Sequence, residues 1–543
     1  MMRFWIYIFF CFLTNLFVFG QEKTFHFYRF NEDTNTYVKD FENSNLKTTL
    51  DSLQKIGYYT LTLDSIQDEN VYLNKGKLYQ NIWVKDNQLF NNKNNFFPTN
   101  NLDSILSSIS KKNIQEGFTF AQIKIIPNGY LENEPKVELV LDKGNQRKVD
   151  GVRAVGYDKL SKGYIKHGLN IKKGEIFNEE KLQNISSLMQ QTRFIAEVQK
   201  PKTLFKQDST IVYLYPKKVN SNYFDGVLGF GTDDNGDFRL NGNIQLSLNN
   251  VFNNFEEIKL NWIGTANKNT SLDIAVKVPY LFKSAIGSET NFKLFKQDSV
   301  FVNLNFSERL YYNLNLNSSI GVSGIIQSSN FLLDDNESLR ANYDDFSKMG
   351  VGLNYQYLLH HPFLLMEGKS MLNVFVNSIR KKEKNFSWTE DLENKKVNQI
   401  EVGLKTFRLF ELSSKHFLKT SAEFTGLLTK DNDFSENELY RIGGFGSFRG
   451  FNEQSIVANM YGFLSVDYRF VPNEAFYIGL FSDYGFIENK RANINTSLLS
   501  FGTGISFLTK LGIFNLSYAV GKTDNTSFDF KESKIHFGIL SQF

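Results

Sequence analysis

The chain has 543 residues, and its formal net charge of +3 is close to neutral for that length, so charge gives no reason to expect nucleic acid as a partner. It holds 53 Phe and 25 Tyr but only 8 Pro, and its one cysteine, Cys11, lies within the first twenty residues, which leaves neither disulfides nor thiol chemistry for the remainder. Beyond those twenty residues no run is long and apolar enough for a membrane helix, so an exported chain of this composition is either a set of soluble β domains or a membrane β-barrel.

The opening MMRFWIYIFFCFLTNLFVFG places Arg3 before a mostly apolar run from Phe4 to Phe19, with Gly20 ahead of the polar Gln21. That is the pattern of a cleaved secretory signal over 1–20. The run is short for a spanning helix and has no positive flank behind it. Cys11 lacks the small residues that precede a lipoprotein site.

Three similar stretches follow before residue 220. The clearest starts at Arg147: a strand-like RKVDGVRAVG, a helical candidate over 157–167, and a second helix behind Asn178 with Leu182, Ile185 and Met189 on one face. FIAEVQKPKTLF and DSTIVYLYPKK then alternate like two strands. The same ending occurs earlier as NVYLNKG, closing at Gly76, and as KVELVLDKG, closing at Gly144. Each is preceded by a helical candidate (LKTTLDSLQKIG, NLDSILSSISKKNIQ) and a strand, and a recurrence at this spacing predicts small repeated α/β modules over 21–76, 77–146 and 147–218. The first module must take its opening strand from TFHFYRF or nearby.

From about Ser221 the period is two. In GNIQLSLNN, Ile244, Leu246 and Leu248 alternate with Asn and Ser, and in SVFVNLNFSE Val300, Val302, Leu304 and Phe306 share one face opposite Asn303, Asn305 and Ser307. NLNLN at 313–317 repeats the device. Asn-rich inner faces suit a wet lumen better than a dry core. Sixteen candidate strands can be placed over 219–543, at 221–231, 236–249, 253–264, 270–280, 286–296, 299–308, 314–326, 349–359, 366–380, 397–410, 415–428, 460–470, 476–485, 496–507, 511–520 and 534–543. The number is even, and the spacers after the seventh, ninth, eleventh, thirteenth and fifteenth run from roughly 10 to 31 residues while those after even candidates hold about 3 to 6, as in barrels with long outer loops and short periplasmic turns. The expected fold is therefore an all-β, 16-stranded antiparallel transmembrane β-barrel preceded by small α/β modules. A membrane leaves no water to satisfy a sheet edge, so the strands must pair all the way round. A soluble sandwich or adhesin domain is the rival.

Near the C-terminal end the chain reads RIGGFGSFRGFNEQ. Gly446, Phe448, Arg449, Gly450 and Phe451 in this stretch resemble the arginine-glycine-aromatic motif of the superfamily of BamA/TamA outer-membrane assembly factors and two-partner secretion transporters. The stretch falls between candidate strands eleven and twelve, the family's position for a loop that folds back into the barrel. The three modules are similar to the family's periplasmic POTRA domains, through phrases such as GVRAVGYDKLS and GEIFNEEKL, and their number is closest to TamA. The resemblance implies acidic wall partners at Asp467, in SVDYRF, and at Asp483, in LFSDYG, where Phe481 and Gly485 complete a phenylalanine-x-aspartate-x-glycine motif. It implies that Arg449 reaches Asp483 with Asp467 nearby, a contact in which the guanidinium fork suits a carboxylate and an enclosed arginine requires one. Gly443, Gly444, Gly446 and Gly450 would let the backbone turn tightly against the wall. The ending SKIHFGILSQF, with Phe537, Ile539 and Phe543 on the parity of Ile535, resembles the C-terminal signal of assembled barrels, broken at Ser541.

No enzyme is expected. The glycine stretch lacks the lysine-serine ending and following helix of a phosphate loop. DDNGD at 233–237 is too short for an EF-hand and reads as a hairpin turn on Asn235-Gly236. His360-His361 falls in an expected periplasmic turn, with a solvated role rather than zinc. No cofactor or metal is implied. The resemblance implies an outer-membrane factor whose modules receive unfolded outer-membrane or secreted protein clients from the periplasm, by strand addition to a sheet edge, and whose barrel inserts or exports them. Accessory periplasmic or inner-membrane proteins and outer-membrane lipid would be its other partners. The first barrel strand is poor in apolar residues and contains Gly226, Gly229 and Gly231, which suits a weak lateral seam against the last strand. A dedicated two-partner-secretion-like exporter is the alternative, and a passive pore or adhesin-like barrel a more distant one.

Overall fold

The computed structural model describes residues 24–540 apart from 87–95, 193, 233–237, 265–268, 334–342, 362, 364, 385–394, 445–446 and 510–511. The signal segment at 1–20, the DDNGD turn, Gly446 and Phe543 lie outside the described residues, as do the side chains of Phe537 and Ile539. The chain divides into two compact units, one holding residues up to Lys148 with Ile176–Glu180, the other Val149–Glu175 with Lys181–Phe543.

The first unit contains two small sheets of the same design. β1 (Phe25–Asn31), β2 (Thr36–Asn43), β3 (Thr62–Gln67) and β4 (Asn70–Asn74) pair in the order β2-β1-β4-β3, with α1 (Leu46–Ile56) between β2 and β3 in sequence. Asn45 starts that helix by accepting the Thr48 N–H at 3.1 Å. Gly57 ends it at φ +124°, where any β-carbon would stand 2.3 Å from the Tyr79 carbonyl oxygen. Leu53 of α1 packs with Phe27, Val71 and Leu73 of the sheet. β5 (Ile82–Asp86), β6 (Phe97–Thr99), α2 (Leu102–Gln115), β7 (Gln122–Leu131) and β8 (Glu134–Asp142) repeat the arrangement as β6-β5-β8-β7, with Ile109 of the helix against Val84 and Val137. In both sheets the first strand runs parallel to the last, β1 with β4 and β5 with β8.

The second unit opens with a third sheet using the same parallel pairing. β9 (Gly151–Ala154) lies parallel to β11 (Thr210–Lys218), and β10 (Ile195–Phe205) completes the order β10-β11-β9. The 157–167 candidate becomes a π-helical turn at Tyr164–Gly168, and the helix behind Asn178 is α3 (Glu179–Gln190), whose Ile185 and Met189 are buried. From β12 (Tyr223–Thr232) to β22 (His416–Thr429), and again from β25 (Met460–Asn473) to β29 (Lys534–Leu540), every neighbour pairs antiparallel in one 16-stranded, barrel-like sheet. β23 (Tyr440–Ile442) and β24 (Ile456–Ala458) form a separate hairpin stem within the long connection between β22 and β25. The sheet is apolar outside and polar inside: on β19 (Asp345–Leu359), Met349, Val351 and Leu353 are 64%, 65% and 67% exposed, while Lys348 and Asn354 on the opposite parity are buried. Among the described residues no helix is long and apolar enough to cross a membrane.

Four expectations need correction. NLNLN is not part of a strand core: β17 (Phe301–Asn313) ends there, and the Asn315 side chain accepts the Asn317 N–H at 2.9 Å to close a turn before β18 (Ser318–Phe331). The connection after the thirteenth strand is short, because β26 (Phe476–Asn489) and β27 (Ile494–Thr509) run past their apolar stretches. The long connection gives that extension partners, with the Asn459 N–H donating to the Glu488 carbonyl at 2.9 Å and Asn489 Nδ2 to the Val457 carbonyl at 3.0 Å. The turn before β20 (Ser370–Lys384) is longer than expected, because Met366 folds inward against Leu409, Phe417 and Val471. In that turn His361 is buried against Phe363 and Phe417 rather than solvated.

The third small sheet is docked on the adjoining rim of the barrel. Tyr164, fully buried, stacks on Phe255 of the turn after β13 (Phe238–Asn249) with ring centroids 4.1 Å apart, and lies edge-on to Tyr280 two strands later. Tyr157 Oη donates to Asn253 Oδ1 at 2.7 Å and accepts from Asn250 Nδ2 at 3.1 Å. Gly163 is required by this contact, since a β-carbon there would stand 2.5 Å from Tyr280 Cβ.

Candidate functional site

The long connection between β22 and β25 enters the lumen at the rim away from the third small sheet. Its stem pairs Tyr440 with Ala458 and Ile442 with Ile456, and Gly443 and Gly444 then take φ +111° and +94°, values that favour glycine. Phe448 at the tip is fully buried in a cluster with Ile442, Ala458, Tyr461, Ile487 and Leu498. Burying a Phe side chain stabilises by about 1.5–3 kcal/mol, so apolar packing alone holds much of the tip.

The pleat explains the wall motif. Phe481, Asp483 and Gly485 occupy i, i+2 and i+4 of β26 and so face the lumen together. They lie opposite Asp467, Ser465 and Phe463 of β25. Arg449 makes contacts along this wall. Its Nε donates to Asp483 Oδ2 at 2.9 Å and a terminal nitrogen to Asp483 Oδ1 at 2.5 Å, the bidentate geometry of a charge-assisted pair. That nitrogen also donates to Ser465 Oγ at 2.7 Å and Asp467 Oδ1 at 2.9 Å. The guanidinium lies 3.6 Å from the Phe481 ring centroid, a stacked cation–π contact. Gly485 leaves the space that Phe448 fills: a β-carbon there would stand 2.8 Å from Phe448 Cε2. Gly450, at φ +87°, passes so close to β28 (Gly512–Thr523) that a β-carbon would stand 2.9 Å from the Gly521 nitrogen, and Gly521 in turn makes room for Phe451.

Arg469 donates to Asp467 Oδ2 at 3.2 Å, so Asp467 is shared between two arginines while Asp483 belongs to Arg449. These groups border a cavity of about 620 Å³ that also reaches Glu367 and Lys419. Among the described residues no cluster of His, Cys, Asp and Glu is arranged to hold a metal ion.

A second charged cluster went unread in the sequence. Glu438, just before the stem, accepts from Lys348 Nζ and Lys381 Nζ at 2.7 Å each and from Gln399 Nε2 at 3.1 Å. Lys348 stands on β19, Lys381 on β20, and Gln399 on β21 (Lys395–Ser413). Burial pushes the Glu438 carboxyl up, but the two ammonium groups outweigh it and hold it at about 2. A signal was present: Ser435 and Glu438 have capping-box spacing, and the Ser435 N–H does donate to Glu438 Oε1 at 2.8 Å.

The model of the haemolysin secretion/activation protein family ShlB/FhaC/HecB matches residues 230–507 of the chain. The chain belongs to this family. Family membership sets it within the wider superfamily of outer-membrane translocases built from POTRA modules and a barrel, and not specifically beside BamA or TamA. Among solved structures the chain is similar to CdiB from Escherichia coli, at 14% identity over 92% of this chain and 96% of that one, with a TM-score of 0.52. It is also similar to CdiB from Acinetobacter baumannii, at 16% identity over 84% of each chain, with a TM-score of 0.53. At these identities the likeness is one of fold. A search of curated proteins finds no match.

Proposed function

We propose that this chain is an outer-membrane translocation factor. Its small sheets, as three POTRA modules over 21–76, 77–146 and 147–218, stand in the periplasm and receive unfolded clients, and its barrel over 219–543 passes them outward or into the membrane. The observation that carries this reading is a loop tip bonded inside the lumen by Arg449 to Asp483 and Asp467. A passive pore needs no such obstruction, whereas a conduit that must stay closed until a client arrives does. Arg449 is then a lock: it holds the tip in the lumen at rest and lets go when a client enters. The family's name, secretion and activation of haemolysin, favours export of a secreted client over general barrel assembly, although three modules match the TamA plan. Clients would add a strand to an exposed sheet edge of the modules, and a seam between β12 and β29 offers a lateral exit, because glycines weaken β12.

Controlled depletion followed by quantitative proteomics of the outer membrane and of the culture medium tests the reading. Loss of one or a few secreted products is expected. Broad loss of outer-membrane barrels would move the assignment to general assembly, and no change in either fraction would overturn it. A disulfide placed between β12 and β29 should block transport if the seam opens; undiminished transport removes the seam from the mechanism.

A further inference from the structure

The loop is held in the lumen at two separate places by two chemically independent charge clusters. Arg449 bears on β25 and β26; Glu438 bears on β19, β20 and β21. Between them lie Gly443 and Gly444, both in the left-handed region of φ. We propose that Glu438, Lys348 and Lys381 form a permanent clamp on the base of the loop, about which the Arg449-bearing tip swings at the glycine pair. Gating is then a hinged motion of the tip, and the loop as a whole stays in the barrel.

The two clusters differ in the way this division of labour requires. The Glu438 and Lys381 side chains have no exposed surface and Lys348 has 3%, whereas at the tip only Asp483, at 2%, is so enclosed and Arg449 and Asp467 keep 16% and 13% and border the cavity of about 620 Å³. Water reaches Arg449 and Asp467 more readily than it reaches the charged atoms of the clamp, although Lys348 and Glu438 border a cavity of their own of about 400 Å³. The clamp is also internally complete. Lys381 bonds a second carboxylate, Glu383 Oε1, at 2.6 Å, so two ammonium groups face two carboxylates with no net charge. Ser435 is drawn in as well, accepting from Lys381 and donating to Asp344. Asn437 adds donors to Ser329 Oγ at 2.6 Å and to the Asp344 carbonyl at 2.8 Å, and its own carbonyl accepts from Asn303 Nδ2 at 2.7 Å. Pulling the base free would strand these buried groups together. Freeing the tip breaks a single charge cluster, in which Asp483 is 2% exposed but Arg449 and Asp467 already meet water, and withdraws Phe448, which is fewer buried polar groups than the base would strand, so the tip lets go first.

The inference builds on the tip lock proposed above, but the clamp is read separately from it. The full chain, with its sole cysteine Cys11 changed to Ser, carries either Leu439→Cys at the buried base or Ser447→Cys at the tip, and is labelled from outside with a membrane-impermeant maleimide. Arg449→Ala should speed labelling at 447 by about tenfold or more, the equivalent of 1.4 kcal/mol, and leave 439 protected. Adding Lys348→Met with Glu438→Gln removes one charge of each sign, leaves the Lys381–Glu383 pair intact and should raise labelling at 439 by at least about tenfold. Labelling at 439 in the Arg449→Ala chain alone would show one lock and no clamp. Protection at 439 that survives the double substitution would show that the charges do not hold the base. If the double variant fails to assemble, Ser435→Ala, which removes the hydroxyl's bonds to Lys381 and Asp344 but no charge, should deprotect 439 by about two- to tenfold, and no change there overturns the proposal. Should transport prove not to depend on Arg449, the labelling result at 439 still stands for or against the clamp.

Discussion

Removing Arg449 while keeping Asp483 leaves a carboxylate that is 2% exposed without its cation, and deprives Asp467 of one of its two arginine partners. Breaking a buried ion pair in this way costs about 3–5 kcal/mol, and Arg449→Ala is expected in that range. Asp483→Ala leaves the guanidinium its bonds to Asp467 and Ser465, so its cost should fall at the low end. The double variant has no orphaned charge at this pair, and it should be more stable than the sum of the single effects by at least about 2 kcal/mol. Arg449→Lys keeps the charge but loses the fork and the stack on Phe481, and should lie between wild type and Arg449→Ala. The measurement is urea unfolding of the barrel in lipid vesicles, run as a double-mutant cycle. Single effects that add to within about 0.5 kcal/mol would refute the coupling and leave Phe448 packing as the sole anchor of the tip.

Gly450→Ala forces a side chain into φ +87° within 2.9 Å of the Gly521 nitrogen, and should destabilise the tip by about 1–3 kcal/mol, read as faster protease cleavage in the loop. Tyr164→Ala should cost about 3–5 kcal/mol of docking between the third small sheet and the barrel rim. Tyr164→Phe, which loses only a 3.0 Å bond to Thr192 Oγ1, should cost about 1 kcal/mol, both followed by limited proteolysis of the segment around 157–167. His167 lies at the same contact. Burial and then Lys166 and Lys172 push its pKa down, against a bond to the Lys283 backbone that raises it. The unfolded form therefore binds the proton more readily, so docking is unaffected well above about pH 6.5 and weakens as pH falls through that value toward the folded pKa. Hydrogen exchange at pH 7.5 and pH 5 should show the loosening, and His167→Gln should abolish the difference.

What could be read from the sequence divides along the reach of the pleat. Alternation in GNIQLSLNN or SVFVNLNFSE assigns each side chain to a face, because successive residues on one strand point opposite ways. For the same reason Phe481, Asp483 and Gly485 can be set on a single wall without a structure. Strand ends are less legible. β26 extends to Asn489 because the loop stem offers it hydrogen-bond partners, and nothing local to residues 486–489 encodes the position of the stem. The Glu438 cluster and the Tyr164–Phe255 stack lie deeper still, since each joins residues far apart in sequence whose types are commonplace where they stand. A lysine of lumen parity such as Lys348 is ordinary in a wet barrel; it becomes a clamp residue only when a carboxylate arrives 90 residues later (438 − 348) and excludes the water. Its effect therefore depends on the loop being folded inward. A charge-conserving exchange, Lys348→Glu with Glu438→Lys, leaves the inner charge count unchanged. It also sets a carboxylate at position 348 near Glu383 on the next strand and an ammonium group at position 438 against Lys381. If the cluster acts through specific pairs, this exchange should fail to restore the clamp, read as rapid maleimide labelling at 439; if net charge alone matters, 439 should stay protected.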